Sequence, residues 1–214
     1  MQGEIARFAR DDKPFAGRAR HYSEWHVVGE RKLGDVQDTM PVPKLSSPAK
    51  RVFLSLGSNL GDRVGNIRKA LEQLAGAGVI VRRVSSFYKT EPMDFRPQAW
   101  FVNCVAEAET RLMPMQLLKA VKAVERALGR RTGLAKRPRA IDIDILLYES
   151  VVVRSAALNI PHERMAQRRF VLLPLRELAG NIRHPVTQRT IYEMLAQAGD
   201  TSQVVRLTAV TSDK

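Results

Sequence analysis

Residues 52–74 read VFLSLGSNLGDRVGNIRKALEQL, and this stretch sets the fold prediction. The apolar run at 52–56 predicts a short strand that ends at Gly57. Residues 62–74 then carry apolar side chains at helical spacing, which predicts an amphipathic helix. A strand followed at once by a helix is the first half of a βαβ unit, so segments downstream have to complete the sheet.

The segments downstream continue this pattern. The predicted elements are, in order, strands over 79–88 and 100–109 on either side of a proline-bearing loop at 91–98, a helix from Pro114 that closes at Gly129, a strand over 140–148 with a hairpin partner at 151–153, and a helix over 170–178. The core order is strand, helix, strand, strand, helix, strand, as in the split βαβ of ferredoxin-like folds. We therefore predict an α+β fold with a ferredoxin-like βαββαβ core, in which helices pack on one face of an antiparallel sheet.

Residues 1–50 differ from the rest in composition. They mix Arg, Asp, Gly and Pro without a sustained helical or strand period, and they end in proline-bearing tripeptides. We expect a disordered polar and basic extension over 1–50, followed by one domain over 51–214.

The charge balance points to an anionic partner. The 214 residues include 35 Lys and Arg against 22 Asp and Glu, a net charge of +13. This suits a nucleic acid, an acidic membrane surface or a phosphorylated small molecule, and charge alone does not choose among them. Cys104 is the single cysteine, which excludes an intrachain disulfide and a cysteine-based metal site. No apolar run approaches the ~18 residues of a membrane span and the N-terminus lacks the apolar core of a secretory signal, so we expect a cytoplasmic protein without a membrane partner.

Residues 140–145, AIDIDI, are the sharpest local feature. Side chains alternate along a strand, so Asp142 and Asp144 share one face while the isoleucines face the core. Two such carboxylates repel each other unless a cation lies between them, and oxygen ligands suit Mg²⁺. An ordinary strand with a solvated acidic face shows the same alternation, so the pattern alone leaves both interpretations open.

Positive side chains flank this strand in sequence. Those upstream are Arg130, Arg131, Lys136, Arg137 and Arg139, and those downstream are Arg164, Arg168 and Arg169, next to His162. Cations beside a metal-binding carboxylate pair suit a polyphosphate, because phosphoryl transfer depends on positioning and charge stabilisation. A solvated basic loop and a structural histidine are the simpler interpretations of the same residues.

Several segments together carry a resemblance to a known family. They are Gly57-Ser58-Asn59, SSFYKTEP at 85–92, Phe101-Val102-Asn103, PRAIDIDI at 138–145, and 161–175 with Pro161-His162, Arg168, Phe170 and Pro174-Leu175. In this order they resemble the 6-hydroxymethyl-7,8-dihydropterin pyrophosphokinase family of folate biosynthesis. The resemblance covers residues 51 to about 190. It implies a ferredoxin-like fold and transfer of the β,γ-pyrophosphoryl group of ATP to the pterin hydroxymethyl oxygen, with release of AMP.

The resemblance also implies roles for individual residues. Asp142 and Asp144 would hold two Mg²⁺ ions, while Arg130, Arg139 and His162 would act in catalysis. The residues implied at ATP are Glu125, Arg130, Arg139, His162 and Arg168. The residues implied at the pterin are Thr90, Met93, Phe101, Asn103 and Phe170, with the two phenylalanines stacked on the ring. We expect a monomer whose partners are these two small molecules, without nucleic acid.

The sequence departs from the family pattern in the basic loop. Arg137 replaces the usual glycine, Lys136 stands where an aromatic residue is common, and Thr132 stands where a second arginine is common. These changes leave open a degenerate paralogue with weak or no activity. A basic nucleic-acid-binding protein would explain the net charge, but it leaves the aspartate pair without a role. A nucleotidyltransferase would need Gly57 and Asp142 close in sequence, and they are far apart.

Overall fold

The computed structural model describes residues 48–92, 98–130 and 138–208. Eight strands and four α-helices lie within these ranges. The strands are β1 (Lys50–Ser58), β2 (Val79–Val84), β3 (Tyr88–Thr90), β4 (Phe101–Thr110), β5 (Asp142–Tyr148), β6 (Val153–Arg154), β7 (Asn159–Ile160) and β8 (Val204–Arg206). The helices are α1 (Arg63–Gly76), α2 (Pro114–Ala127), α3 (Arg169–Ala179) and α4 (Ile191–Gln197).

The starts of the first two helices follow from local sequence. Asp62 Oδ1 accepts a hydrogen bond from the Gly65 N–H at 2.9 Å and so satisfies one amide in the first turn of α1. Pro114 opens α2 at a position whose amide would lack a helical partner anyway. Both helices therefore begin where the sequence predicts them.

Six strands form one sheet. Five of them follow one another in the order β5-β1-β4-β3-β8. The sixth, β2, pairs with the same edge of β4 as β3 does, farther along β4. All the strand pairs are antiparallel. The connections β1-α1-β2 and β4-α2-β5 each skip over one strand, which is the ferredoxin-like arrangement. The predicted α+β fold with its βαββαβ core is confirmed.

The sheet has a hydrophobic core on each face. Leu54 and Leu56 of β1 pack into one core with residues of α1 and α2, whereas Phe53 packs into a second core with α3 and α4. The prediction of helices on one face therefore holds for the βαββαβ core. It is wrong for the two C-terminal helices, which cover part of the opposite face.

Three local expectations differ from the structure. The strand predicted over 79–88 is two strands, because the Ser85 hydroxyl accepts the Val105 N–H at 2.9 Å and interrupts the backbone ladder between β2 and β3. Residues 151–153 do not form a hairpin with β5; β6 pairs with β7 instead. The short elements α4 and β8 were not predicted, because seven and three residues are too few to show a period.

None of the helices in the described ranges has the length and apolar character needed to cross a lipid bilayer. The extension predicted over 1–50 lies outside the described residues except for 48–50. The division at residue 50 therefore stays a prediction.

Candidate active site

Three neighbouring strands bring predicted site residues together at one end of the sheet. Gly57 of β1 lies opposite Asn103 of β4 on one side and opposite Asp142 of β5 on the other. Two residues earlier, Ser55 lies opposite Asp144. Because side chains alternate along a strand, these residues share the sheet face that is turned away from α1 and α2.

A cavity of about 310 Å³ opens on this face. Its described lining residues are Ser55, Gly57, Thr90, Glu91, Pro92, Gln98, Phe101, Asn103, Arg130, Arg139, Asp142, Asp144, His162, Arg164, Arg168 and Phe170. Every predicted site residue in the described ranges lies here, with the exception of Glu125. Met93 and the altered positions Thr132, Lys136 and Arg137 lie outside the described residues.

Asp142 is held between two arginines. Arg139 Nη1 donates to Asp142 Oδ2 at 2.6 Å, and Arg130 Nη1 donates to the other carboxylate oxygen. The Asp142 side chain is still 24% exposed, toward the cavity. Both arginines therefore present positive charge at the position where a ligand of Asp142 would lie.

Asp144 faces one arginine and one histidine. Arg168 Nη1 lies 3.9 Å from Asp144 Oδ2, and His162 Nε2 lies 3.8 Å from the same oxygen. His162 Nδ1 accepts the Arg164 N–H at 3.2 Å, so the neutral ring carries its proton on Nε2. Burial lowers the pKa of His162, and the Asp144 carboxylate only partly offsets this effect. His162 is therefore a neutral donor near pH 7.

Glu125 lies beneath the cavity, with a side chain only 1% exposed. It accepts the Ile143 N–H at 2.7 Å, and it forms ion pairs with Lys122 and Arg130. Burial raises the pKa of Glu125, against these hydrogen bonds and charges. Burial alone would lower the pKa of Arg130, but Asp142 and Glu125 raise it above its ordinary value. Glu125 thus contacts Arg130 from below, and Arg130 contacts Asp142.

The rest of the lining is aromatic and amide-bearing, and we call Phe101, Phe170, Asn103 and Thr90 the aromatic half of the lining. Phe101 belongs to β4 and Phe170 to α3, and the Arg168 guanidinium lies 5.5 Å from the centre of the Phe170 ring. Asn103 is 4% exposed, and its Nδ2 donates to Thr90 Oγ1 at 2.7 Å. A Cβ at Gly57 would collide with Asn103 Oδ1, so this position has to be glycine for the amide to lie where it does.

Asn59 does not line the cavity, but it binds two residues that do, Arg139 and Gln98. Its Oδ1 accepts the Arg139 N–H at 2.7 Å, and its own N–H donates to the Arg139 carbonyl at 3.2 Å. Its Nδ2 also donates to Gln98 Oε1 at 3.0 Å. Taken locally, this segment predicts only that the first strand ends at Gly57. The partners of Asn59 are far away in sequence, so only the folded chain reveals them.

The aspartate pair fits a magnesium site formed jointly with substrate. The described residues contain no group of three or more His, Cys, Asp and Glu side chains that would make a cage of protein ligands alone. Mg²⁺ commonly takes one or two carboxylates and completes its shell with water and phosphate oxygens. Two partly exposed carboxylates on one face, with arginine side chains beside them, are a donor set that fits such a site.

Comparison with protein families decides among the predicted classes. The family model for 7,8-dihydro-6-hydroxymethylpterin-pyrophosphokinase (HPPK) matches residues 53–180. The chain belongs to the HPPK family. This confirms the predicted family of ATP-dependent pyrophosphokinases in folate synthesis, and it does not favour the nucleic-acid-binding alternative.

Named relatives agree with this assignment. The 2-amino-4-hydroxy-6-hydroxymethyldihydropteridine pyrophosphokinase of Aquifex aeolicus is 39% identical over 142 residues, which cover 66% of this chain and 88% of that protein. The folic acid synthesis protein fol1 of Schizosaccharomyces pombe is 42% identical over 163 residues, which cover 76% of this chain and 22% of that protein. The chain thus matches about a fifth of the length of the longer relative.

Solved structures support the fold. Plasmodium falciparum HPPK-DHPS with pteroate has a TM-score of 0.57 at 14% sequence identity, and the match covers 70% of this chain and 44% of that chain. At this identity the likeness shows an HPPK fold and nothing more.

Proposed function

We propose that the chain transfers the β,γ-pyrophosphoryl group of ATP to the hydroxymethyl oxygen of 6-hydroxymethyl-7,8-dihydropterin. In this reaction the hydroxyl oxygen forms a bond to the β-phosphorus, the bond from that phosphorus to the α-phosphate oxygen breaks, and AMP leaves. The observation that carries the proposal is one cavity whose lining combines two chemistries. Asp142 and Asp144 lie there beside cations, and Phe101, Phe170 and Asn103 line the same cavity.

Asp142 and Asp144 would hold two Mg²⁺ ions. When bound, Mg²⁺ supplies positive charge that stabilises the phosphate oxygens as the reaction proceeds. The family match and the shared face of the two carboxylates support this assignment.

The cations would bind and orient the triphosphate. Arg130 and Arg139 already contact Asp142, so a polyphosphate beside that aspartate lies within their reach. Arg168 and the neutral Nε2–H of His162 would donate to phosphate oxygens beside Asp144. Glu125 would act on ATP through Arg130, because its buried carboxylate contacts that guanidinium.

The aromatic half would bind the pterin. Phe101 and Phe170 would stack on the two faces of the flat ring, and stacking of this kind suits aromatic side chains. Asn103, with Thr90 and Met93, would bind the hydrogen-bonding edge of the ring. Asn103 is buried, and a buried amide requires polar partners for its donors and its acceptor.

We extend the proposal to one catalytic domain over 51–214 that acts as a cytoplasmic monomer. The proposed partners are ATP and the pterin, without nucleic acid.

The test is AMP release from ATP, with and without the pterin, by the wild type and Asp142→Ala. We expect pterin-dependent AMP release that falls at least about a hundredfold in Asp142→Ala, because metal and phosphate positioning supplies most of the rate. The fold should survive, because this side chain faces the cavity. The matched control is Glu109→Ala, which removes a carboxylate from the same sheet that pairs with Arg82 at 2.7 Å, away from the cavity.

Three outcomes would contradict the proposal. Unchanged turnover in Asp142→Ala would remove the central assignment. ATP binding without turnover of the pterin by the wild type would instead indicate a degenerate paralogue. Tight, steeply salt-dependent retention on heparin without AMP release would indicate a nucleic-acid-binding protein.

A further inference from the structure

A hydrogen-bonded cluster joins α3 to the strand edge outside the cavity. The Tyr88 hydroxyl donates to Glu177 Oε1 at 2.5 Å, and the Ser86 N–H donates to Glu177 Oε2 at 2.7 Å. Arg206 of β8 approaches the same carboxylate at 3.9 Å, and it donates to Ser86 Oγ at 2.8 Å. Both oxygens of Glu177 are therefore used to fix the helix against β3.

The Tyr88–Glu177 pair is charge-assisted. Burial, and then the hydrogen bond to Glu177, raise the pKa of Tyr88 to about 12. Burial would raise the pKa of Glu177, but the hydrogen bonds from Tyr88 and Ser86 lower it. The tyrosine thus stays a neutral donor and the glutamate a charged acceptor near pH 7, which is a strong and directional pair.

The pair lies in line with residues of the aromatic half of the cavity. Glu177 follows Phe170 by seven residues, so both side chains stand on the same face of α3. Tyr88 precedes Thr90 by two residues, so both point to the same side of β3, and Tyr88 lies opposite Asn103 in the register. The contact therefore links the element that carries Phe170 to the strands that carry Thr90, Asn103 and Phe101.

The first turn of α3 is held partly by contacts from outside the helix. Pro174 lies inside the helix and has no N–H to donate to the carbonyl of Phe170. The turn that carries Phe170 is thus short of one helical hydrogen bond. Asp200 Oδ2, from a segment outside the helix, accepts the Arg169 N–H at 2.8 Å.

We propose that Tyr88 and Glu177 are positioning residues for the pterin, which set the distance between Phe170 and the wall formed by β3 and β4. This inference rests on the proposed function, because it assumes that the aromatic half binds the ring. The pair touches no substrate; it acts through Phe170 and Thr90. The residues proposed for ATP depend on it less. Arg168 adjoins α3 as its N-cap residue, but Arg130, Arg139, Asp142 and Asp144 lie outside that helix.

Loss of a hydrogen bond that only stabilises the fold would not change the KM for the pterin more than the KM for ATP. Tyr148 supplies the matched comparison, because it is also a buried tyrosine whose hydroxyl makes one hydrogen bond, to the Leu112 carbonyl at 2.9 Å. Its side chain belongs to the core on the opposite sheet face. Tyr148→Phe and Tyr88→Phe therefore delete the same atom from similar environments, one away from the cavity and one behind it.

The experiment measures pterin affinity directly, by calorimetric titration with Mg²⁺ and a non-hydrolysable ATP analogue, together with the KM for each substrate. We expect Tyr88→Phe to raise the Kd and KM for the pterin about tenfold, as the loss of a hydrogen bond to a charged group would do, with the KM for ATP within about twofold. Tyr148→Phe should change the Kd and KM for the pterin by less than about twofold. Its loss in free energy of unfolding, measured in urea, should be similar to that of Tyr88→Phe. Glu177→Gln should raise the Kd and KM for the pterin as much as Tyr88→Phe does. The double variant should have a pterin Kd within about twofold of that of Glu177→Gln, because both changes break the same contact.

Each other outcome overturns the inference. Equal effects of Tyr88→Phe and Tyr148→Phe, or a parallel rise of both KM values, would make the pair a stabilising contact only. If Tyr88→Phe does not fold, Glu177→Gln carries the same comparison against Glu193→Gln, which alters a carboxylate that caps α4. Wild-type protein that binds no pterin would overturn the proposed function as well, so the two failures differ.

Discussion

Gly57 lies in β1 directly opposite Asn103, and the missing side chain leaves room for the amide. In Gly57→Ala the new Cβ would push Asn103 away from Thr90 and from any ligand. We expect kcat/KM for the pterin to fall about tenfold to a hundredfold, because a buried amide without partners costs roughly 1–3 kcal/mol. Steady-state kinetics with saturating ATP would measure this effect.

Gly76→Ala is the control at the same scale. A Cβ at Gly76 meets nothing within 4 Å, and this glycine ends α1, far from the cavity residues in sequence. Alanine should leave the kinetics unchanged and make the fold slightly more stable, since glycine costs about 0.5–1 kcal/mol in a helix. Equal kinetic losses in both variants would show that the effect of Gly57→Ala is not local to Asn103.

The sequence predicts single residues well where the rule is local. Alternation along 140–145 is sufficient to place Asp142 and Asp144 on one face, and the structure agrees. It is not sufficient to show that Arg130 bridges Asp142 and Glu125, because that contact joins the end of α2 to β5. It also cannot show that Asn59 binds the backbone of Arg139, which lies 80 residues downstream.

At the scale of elements, α3 begins without a capping side chain of its own. Asp200 supplies the missing acceptor from a distant segment: its Oδ2 accepts the Arg169 N–H at 2.8 Å, and its Oδ1 accepts the Ser202 N–H at 2.9 Å. Burial would raise the pKa of Asp200, but the hydrogen bonds from Ser202 and Arg169 lower it. The carboxylate is therefore charged near pH 7, as suits the positive end of a helix.

We predict that Asp200→Ala lowers the free energy of unfolding by about 1 kcal/mol, the usual cost of a lost helix cap. Urea denaturation at pH 7 would measure the change. Asp200→Asn keeps one oxygen acceptor and should lose about half as much. If Asp200→Ala were as stable as the wild type, the contact with Arg169 would not act as a cap.

The elements that the sequence predicted correctly are long and strongly periodic, such as α1, α2 and β4. The misses have physical causes. The Ser85 hydroxyl, in place of a backbone carbonyl, accepts the Val105 N–H. The β-branched residues that flank Ser85 in sequence could not reveal this break between β2 and β3. The strand β8 pairs with β3, which lies far earlier in the sequence, and its three residues are too few to show a period.

At the scale of the whole molecule, the cavity is lined by elements that lie far apart along the chain. Its described lining residues run from Ser55 to Phe170, and they come from β1, β3, β4, β5, α3 and the segments between them. No single segment of sequence therefore contains the site. The resemblance supplied the residue roles, while the fold explains why residues so far apart in sequence can act on one ligand.

Because the site draws on so many elements, a ligand that occupies it should stabilise the folded state as a whole. A ligand that binds only the folded state adds roughly 2.7 kcal/mol at a hundredfold excess over its Kd. We therefore expect ATP with Mg²⁺ to raise the Tm by roughly 5–10 °C for a chain of this size. With EDTA the shift should largely disappear, since the proposed contact of the phosphates with Asp142 and Asp144 then lacks its cation.

Differential scanning fluorimetry would measure both conditions, with Asp142→Ala and Glu109→Ala as the paired variants. Only Asp142→Ala should lose the magnesium-dependent shift. An equal shift in EDTA, or a full shift in Asp142→Ala, would show that ATP binds without the aspartate site.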